Sequence, residues 1–366
     1  MTTFSVAVMP GDGIGKEVTP PALELVQEAA NQCGVEISFT EIPAGAEFYA
    51  ETGDAFPESH FQEAKAADAI FLSAMGHPDI RYPDGTEIGP QHDLRKRLQL
   101  YAGMRPCKTL PGLPLPLKDP RSNELDFVIV RESIEGLFAF PRGHELDDEE
   151  YAHNLMRISR TISDKLFNFS FKLAQQRQKK GKGKNLVTHI DKANVLSSQH
   201  RARQWFYGVA EQYPDVEASH QYVDFAALDL LRRPWVFDVM PTENQYGDIL
   251  SDIAAGLMGG MGMAPSGEIG DTHAVFQPCH GSAPDIVGQG KANPTAMILS
   301  GKMMLEYLGE KHGCEGALLA AERLEAAVEA AYGTGNIVPF ELGGCAGLKQ
   351  ISGAIANKLS GVIEET

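Results

Sequence analysis

The chain has 366 residues, an apolar fraction of 43% and a formal charge of −17. Its length allows two lobes, each with a core of its own, while the negative field argues against nucleic acid or an acidic membrane surface as a partner. Five cysteines without CxxC spacing, Cys33, Cys107, Cys279, Cys314 and Cys345, argue against a disulfide framework or a zinc site and fit a reducing cytoplasm.

The chain enters a short apolar strand at residues 4–9 with no basic leader before it. No apolar run reaches membrane-spanning length, so a soluble cytoplasmic protein is expected. Gly11-Asp12-Gly13-Ile14-Gly15 follows, then a helical pattern through Val18, Leu23, Val26 and Ala30. A dinucleotide fingerprint would need a glycine at Lys16 or Val18, and the next strand, 35–42, lacks a clear ribose-binding acid at its end. We therefore expect a tight strand-to-helix turn near an active site. A helix at 58–67 and a strand at 69–74 continue the alternation, which implies a largely parallel α/β sheet.

Residues 91–108, QHDLRKRLQLYAGMRPCK, gather Arg95, Lys96, Arg97, Arg105 and Lys108. This is the local basic patch that any anionic ligand of so acidic a chain requires. The proline-rich stretch 111–120 reads as an extended surface connection and a change of lobe. Strand 126–130 ends at Arg131-Glu132, where open α/β sheets place ligands. An acidic turn at 145–150 and a helix at 161–178 come next, and KKGKGKN at 179–185 reads as a solvated loop. Strand 186–190 ends in Asp191-Lys192-Ala193-Asn194; helix 199–213 and strand 216–223 lead to Asp224.

The stretch 235–252, WVFDVMPTENQYGDILSD, reads as a buried strand from Val236 to Met240 that Pro241 stops. Thr242, Glu243 and Asn244 then supply helix-start chemistry. Asp248 and Asp252 fall one turn apart on one helix face, a spacing that suits one hard divalent cation, although by itself it also fits two solvated acids. The glycine- and methionine-rich run 254–270 cannot be one continuous helix. The long loop 280–294 has the length and composition of a functional one. Helices at 295–308, 316–332 and 346–359 close the chain.

Six segments in register, GDGIG at Gly11, LRKRLQLYAGMRP at Leu94, VRESIEGLF at Val130, DKANV at Asp191, GDILSD at Gly247 and HGSAPDI at His280, resemble the β-decarboxylating dehydrogenases. That family includes isopropylmalate, isocitrate, homoisocitrate, D-malate and tartrate dehydrogenases. The resemblance implies a two-lobed α/β fold like that of isopropylmalate dehydrogenase. Residues 1–98 and 258–366 would form a large cofactor-binding lobe with a mostly parallel sheet, and 99–257 a central dimerisation lobe, with an arm around 138–157 interlocking two copies.

The activity it implies is oxidation of a malate-type 2-hydroxy acid with a C3 carboxylate, followed by β-decarboxylation, with NAD and Mg²⁺ or Mn²⁺. Arg95, Arg105 and Arg131 match the family's substrate-carboxylate arginines, whose planar forks suit carboxylates. Ile88, Gln91 and His92 match the positions that meet the variable part of the di- or tricarboxylate. Asp224, Asp248 and Asp252 match the metal ligands, and Lys192 the base for the substrate hydroxyl. Lys192 and Asp224 would come from the neighbouring subunit, so the implied assembly is a homodimer with shared active sites, or a tetramer. Asn194 matches the contact with the nicotinamide end, and His280, Gly281, Ser282, Ala283, Asp285 and Asn293 the rest of the cofactor loop. Asp285 followed by Ile286 resembles NAD-linked rather than NADP-linked members.

Three departures stand out. Phe138 occupies the place of a tyrosine that protonates the enol. Gln277 replaces a common glutamate. Ile88, Gln91 and His92 match neither the aliphatic set of isopropylmalate enzymes nor the serine and asparagine of isocitrate enzymes, which suggests a small or hydroxylated malate-type acid. Phe138 leaves two alternatives: a dehydrogenase without efficient decarboxylation, or a catalytically weak regulatory subunit of an isocitrate dehydrogenase-like oligomer.

Overall fold

The computed structural model describes residues 2–140 and 150–361; most of the expected acidic turn and part of the expected arm lie outside the described residues. The strands are β1 Thr2–Met9, β2 Val35–Glu41, β3 Ala69–Leu72, β4 Ala102–Lys108, β5 Asp126–Glu132, β6 Leu186–Asp191, β7 Glu217–Tyr222, β8 Val239–Thr242, β9 Pro265–Ile269 and β10 Ala274–Pro278. The helices are α1 Gly15–Gln32, α2 Ala46–Thr52, α3 Glu58–Ala66, α4 Pro90–Arg97, α5 Arg160–Lys179, α6 Ser197–Ala210, α7 Val223–Arg232, α8 Asn244–Met258, α9 Thr295–His312, α10 Glu315–Tyr332 and α11 Leu348–Gly361.

All ten strands form one sheet in the order β2-β1-β3-β10-β9-β4-β5-β8-β6-β7. The outer pairings are parallel, as the alternation of strands and helices requires. In the middle, β10-β9, β9-β4 and β4-β5 are antiparallel. Strands from the two chain ends make up one half of the sheet and strands from the middle of the chain the other, joined where β9 meets β4.

The cores follow this division only in part: the larger one also takes in Phe127 and Ile129 of β5 and Met240 of β8, while the buried members of a second are confined to residues 101–239. Val18, Leu25 and Val26 of α1 pack with Met304, Leu305 and Leu308 of α9 and Leu324 and Val328 of α10. Under α5 and α6, Phe167, Phe171 and Phe206 cover Val128, Val130, Val187 and Val239. Each buried ring contributes roughly 2–3 kcal/mol by removal of apolar surface from water.

Two expectations need correction. The strand before Asp248 begins at Val239, since Pro234–Val236 form a 3₁₀ turn, and it contains Pro241. Pro241 is tolerated because it pairs with Val130 on the β5 side, while towards β6 the register is held at Val187↔Val239 and Ile190↔Thr242, on either side of the missing donor. Asp224 stands at the exit of β7, as expected, but already in the first turn of a helix, α7, that periodicity had not revealed.

The GDGIG turn is tight for two reasons. The Asp12 carboxylate accepts from the backbone N–H groups of Ala46 at 2.9 Å, Glu47 at 2.8 Å and Gly76 at 2.7 Å, so one buried side chain fastens two loops. Gly13 has φ +55°, and a Cβ there would lie 2.2 Å from the Ser282 carbonyl oxygen, whose loop also receives the Ile14 N–H at 2.9 Å. Gly13→Ala is therefore expected to cost about 2 kcal/mol and to speed proteolysis within 280–294, measured by thermal melting and limited digestion.

Candidate active site

Arg131, the penultimate residue of β5, meets the start of α8. Its Nε donates to Asn244 Oδ1 at 2.9 Å, its Nη1 pairs with Asp248, and Asn244 Nδ2 donates onward to the Glu135 carbonyl at 3.0 Å. A Cβ on Gly247 would lie 2.7 Å from Arg131 Cβ, so glycine lets the helix approach. Glu243 caps α8, accepting from Gln245 N–H at 3.1 Å and Tyr246 N–H at 3.3 Å. Burial, then the Arg95 charge, lowers Arg131 to about 10, leaving it cationic at neutral pH.

Arg95 of α4 and Arg105 of β4 converge on one carboxylate, Glu268 of β9. Arg95 Nη2 donates to Glu268 Oε1 at 2.8 Å and Arg105 Nη2 to the same oxygen at 2.5 Å. Burial alone would raise Glu268, but the charges of Arg105 and Arg95 overcome it and hold the carboxyl well below the ordinary range. Arg95 Nε and Glu268 Oε2 are buried without partners.

Asp248 and Asp252 come from adjacent turns of α8, and burial followed by the Asp248 charge raises Asp252, as expected for carboxylates sharing a face. Lys192, just beyond β6, bonds instead to Asp224 at 2.5 Å. Among the described residues no three His, Cys, Asp or Glu side chains stand close enough to hold one metal ion. One chain thus brings together Asp248 and Asp252 but does not add Asp224.

Beside Arg95 opens a cavity of about 530 Å³, lined by His92, Ser133, Leu137, Phe138, Leu155 and Asn244 among others. The Phe138 ring is 42% exposed and its centroid lies 5.7 Å from the Arg131 guanidinium, so it offers a cation a π face and no proton. His92 opens to the cavity; desolvation by the cleft walls, then the Arg95 charge, lowers it to about 4, leaving a neutral imidazole. Ile88 does not line the cavity and packs with Ala46 and Ala55. Gln91 keeps a buried Oε1 without a partner.

The 280–294 loop folds back on the glycine turn. Ser282 Oγ donates to the Gly76 carbonyl at 2.5 Å, and Ala283 holds the left-handed φ of +38°, a strained backbone of the kind found at ligand sites. Gly288 N–H donates to Glu17 Oε1 at 2.6 Å. Gly281 and Asp285 are exposed, and His280 Nε2 is buried without a partner. The Asn293 side chain is engaged within the protein, donating to Glu341 Oε1 at 2.7 Å and accepting from Thr295 N–H at 3.1 Å. Asn194 is exposed beside Lys192.

With this geometry in place, comparison with known proteins gives the class. The model of the isocitrate/isopropylmalate dehydrogenase family matches residues 5–352. The chain is 40% identical over 341 residues to a 3-isopropylmalate/3-methylmalate dehydrogenase of Methanocaldococcus jannaschii, covering 93% of this chain and 94% of that protein. It is 41% identical over 315 residues to a 3-isopropylmalate dehydrogenase of Aquifex aeolicus, covering 84% of each. Among solved structures, an isocitrate dehydrogenase of Methylococcus capsulatus superposes with a TM-score of 0.83 at 31% identity, over 97% of this chain and 99% of that one. The apo β-decarboxylating dehydrogenase of Thermococcus kodakarensis gives 0.80 at 32%, over 99% and 98%. The chain belongs to the isocitrate/isopropylmalate dehydrogenase family, and it is an oxidative, decarboxylating dehydrogenase.

The residues whose internal role sequence reading missed are acids: Asp12 and above all Glu268. A lone glutamate in the otherwise uncharged strand PSGEI was the available signal. Glu132 is another, accepting from Ile134 N–H at 2.7 Å while burial pushes it up to about 8. Its folded-state pKa lies above the unfolded value, so its stabilising effect is complete below about pH 4 and is lost as the pH rises towards 8. Glu132→Gln is expected to flatten that part of the pH dependence of Tm, measured by thermal melts from pH 5 to 8.5.

Proposed function

We propose that this chain uses NAD and a divalent cation to oxidise a 3-alkyl-substituted malate, releasing the C3 carboxylate as CO₂, and that it works as a homodimer with shared sites. The observation that carries this reading is the cluster of Arg95, Arg105 and Arg131 beside the Asp248–Asp252 face of α8. Leu137, Phe138 and Leu155 give the adjoining cavity an apolar wall, which favours an alkyl group over a third carboxylate. The names of the Methanocaldococcus jannaschii and Aquifex aeolicus relatives agree with that choice, whereas that of the Methylococcus capsulatus structure does not.

The donor sets suit the two absent groups. Two oxygen donors one turn apart match Mg²⁺ or Mn²⁺, which when bound supplies Lewis acidity at the substrate hydroxyl and its neighbouring carboxylate. Asp285 of the 280–294 loop and Glu17 of α1, which accepts from Gly288 N–H, put two carboxylates at the cofactor loop, where a ribose hydroxyl can donate and a 2′-phosphate would be repelled. NAD, when bound there, would supply the acceptor for the hydride leaving C2.

The protein's own side chains do the rest. The arginines hold the carboxylates through their charge and the donors not engaged within the protein, and so orient C2. The partner's Lys192 takes the hydroxyl proton, and the partner's Asp224 completes the cation's ligands, which accounts for their distance from Asp248 within one chain. The C3–carboxylate bond then breaks, its electron pair forming the enolate. The enol is protonated by water or by the partner's Lys192, because Phe138 has no proton to donate. The division into 1–98 with 258–366 and 99–257 is supported by the strand order and places the cleft between the two halves.

The test is NADH formation with Mn²⁺ across 3-isopropylmalate, 3-methylmalate, D-malate, tartrate and isocitrate, with CO₂ counted in parallel. Equal NADH and CO₂ from the alkylmalates is expected. Faster turnover with isocitrate, or with NADP, would overturn the assignment. Phe138→Tyr is expected to raise kcat about tenfold or more if protonation limits turnover, since a positioned acid is worth at least that; an unchanged rate shows that water serves as well.

Dimerisation has its own support. Phe225 at 46%, Leu228 at 42% and Leu231 at 57% exposure line one face of α7, and Ile249 of α8 is 56% exposed, an apolar patch beside the acids. Leu231→Asp is expected to yield a monomer by light scattering with activity reduced at least a hundredfold; an active monomer would sink the shared-site reading.

A further inference from the structure

The three arginines bring three positive charges to the cleft, and Glu268 cancels one of them. Its side chain is 1% exposed and is not among the residues lining the cavity, so it reaches a ligand only through the guanidiniums it holds. Its Oε1 takes an Nη2 donor from each of Arg95 and Arg105, at 2.8 and 2.5 Å. Arg105 Nη1 is directed to the Met104 carbonyl at 3.1 Å. Arg95 Nε is buried without a partner, so the Arg95 donors are not all used by Glu268. Gly103 makes room for the carboxylate, since a Cβ there would lie 2.9 Å from Glu268 Oε2.

We propose that Glu268 is a positioning residue that sets the charge of the substrate: by occupying donors of Arg95 and Arg105 it matches the cleft to a dianionic 2-hydroxy acid and against a trianionic one. Leaving aside Asp248 and Asp252, whose two charges a divalent cation would meet, and the partner's Asp224 and the partner's Lys192, which offset each other, three guanidiniums less one carboxylate leave two net charges for substrate carboxylates. A third carboxylate would find none of the three guanidinium charges left for it and would sit near a fixed anion in a poorly screened site, with Lys96 of the cavity lining the other cation on this chain it could meet. The apolar wall of Leu137, Phe138 and Leu155 points the same way. This inference rests on the reading of the cleft as a carboxylate site.

The experiment uses two inert anions, succinate and propane-1,2,3-tricarboxylate, titrated calorimetrically at fixed ionic strength and excess Mg²⁺ into the wild type, Glu268→Gln and Glu268→Asp, each checked by thermal melting. The wild type is expected to bind succinate more tightly. Glu268→Gln, similar in shape but uncharged, is expected to move the affinity ratio towards the trianion by about tenfold. Glu268→Asp keeps the charge and is expected to keep the ratio, even if both affinities fall. A wild type that prefers the trianion, an unchanged ratio in Glu268→Gln, or the same shift in both variants would overturn the charge-setting role while leaving the anion site intact. If neither anion binds the wild type, the carboxylate reading of the cleft falls, and this inference with it.

Discussion

The cleft depends on a buried carboxylate placed between two guanidiniums. Arg95, Arg105 and Arg131 crowd one end of the sheet, and without Glu268 the first two would face each other as desolvated like charges. Burial of such ions is costly, and an arrangement of this kind is held by its mutual hydrogen bonds; removing one partner from a buried pair typically costs about 3–5 kcal/mol. The same contact ties α4, β4 and β9 together at the strand junction where the two halves of the sheet meet. Charge balance and architecture are therefore one problem at this point in the molecule.

Around that junction, close approach is obtained by leaving side chains out. Gly247 brings α8 against Arg131, Gly103 leaves space for Glu268, and Gly13 lets the 280–294 loop sit on the first turn of the chain. Polar side chains then fix what the glycines permit: Asn244 holds Arg131, Asp12 holds two loops, and Ser282 holds Gly76. The acids on α8 project from this frame next to an apolar face that a single chain leaves uncovered.

Most of the framework was legible because it rests on local signals. The parallel outer strands, the long helices and the capped start of α8 follow from periodicity and turn chemistry, and Arg95, Arg105, Arg131, Asp248 and Asp252 could be named from motif and spacing. What escaped reading depends on contacts between distant segments. Glu268 lies 173 positions from Arg95, and nothing local in PSGEI marks it as a partner of two arginines. Pro241 read as a stop because its neighbours were unknown; only the register with β5 and β6 shows how the missing donor is tolerated. Ile88 sat at a position matched to substrate contact, yet its packing with Ala46 and Ala55 turns it into core.

The strand order also dictates when the protein can be completed during synthesis. β3 lies between β1 and β10, with Ile70 paired to Val275, so its second edge stays open until almost the whole central part of the chain has been made. An unpaired apolar strand, AIFL, is a template for pairing with other chains, and non-local closures of this length fold slowly. The nascent chain is thus exposed to aggregation over a long interval. The middle half, β4 to β8, can meanwhile assemble around its own aromatic core before the sheet is joined.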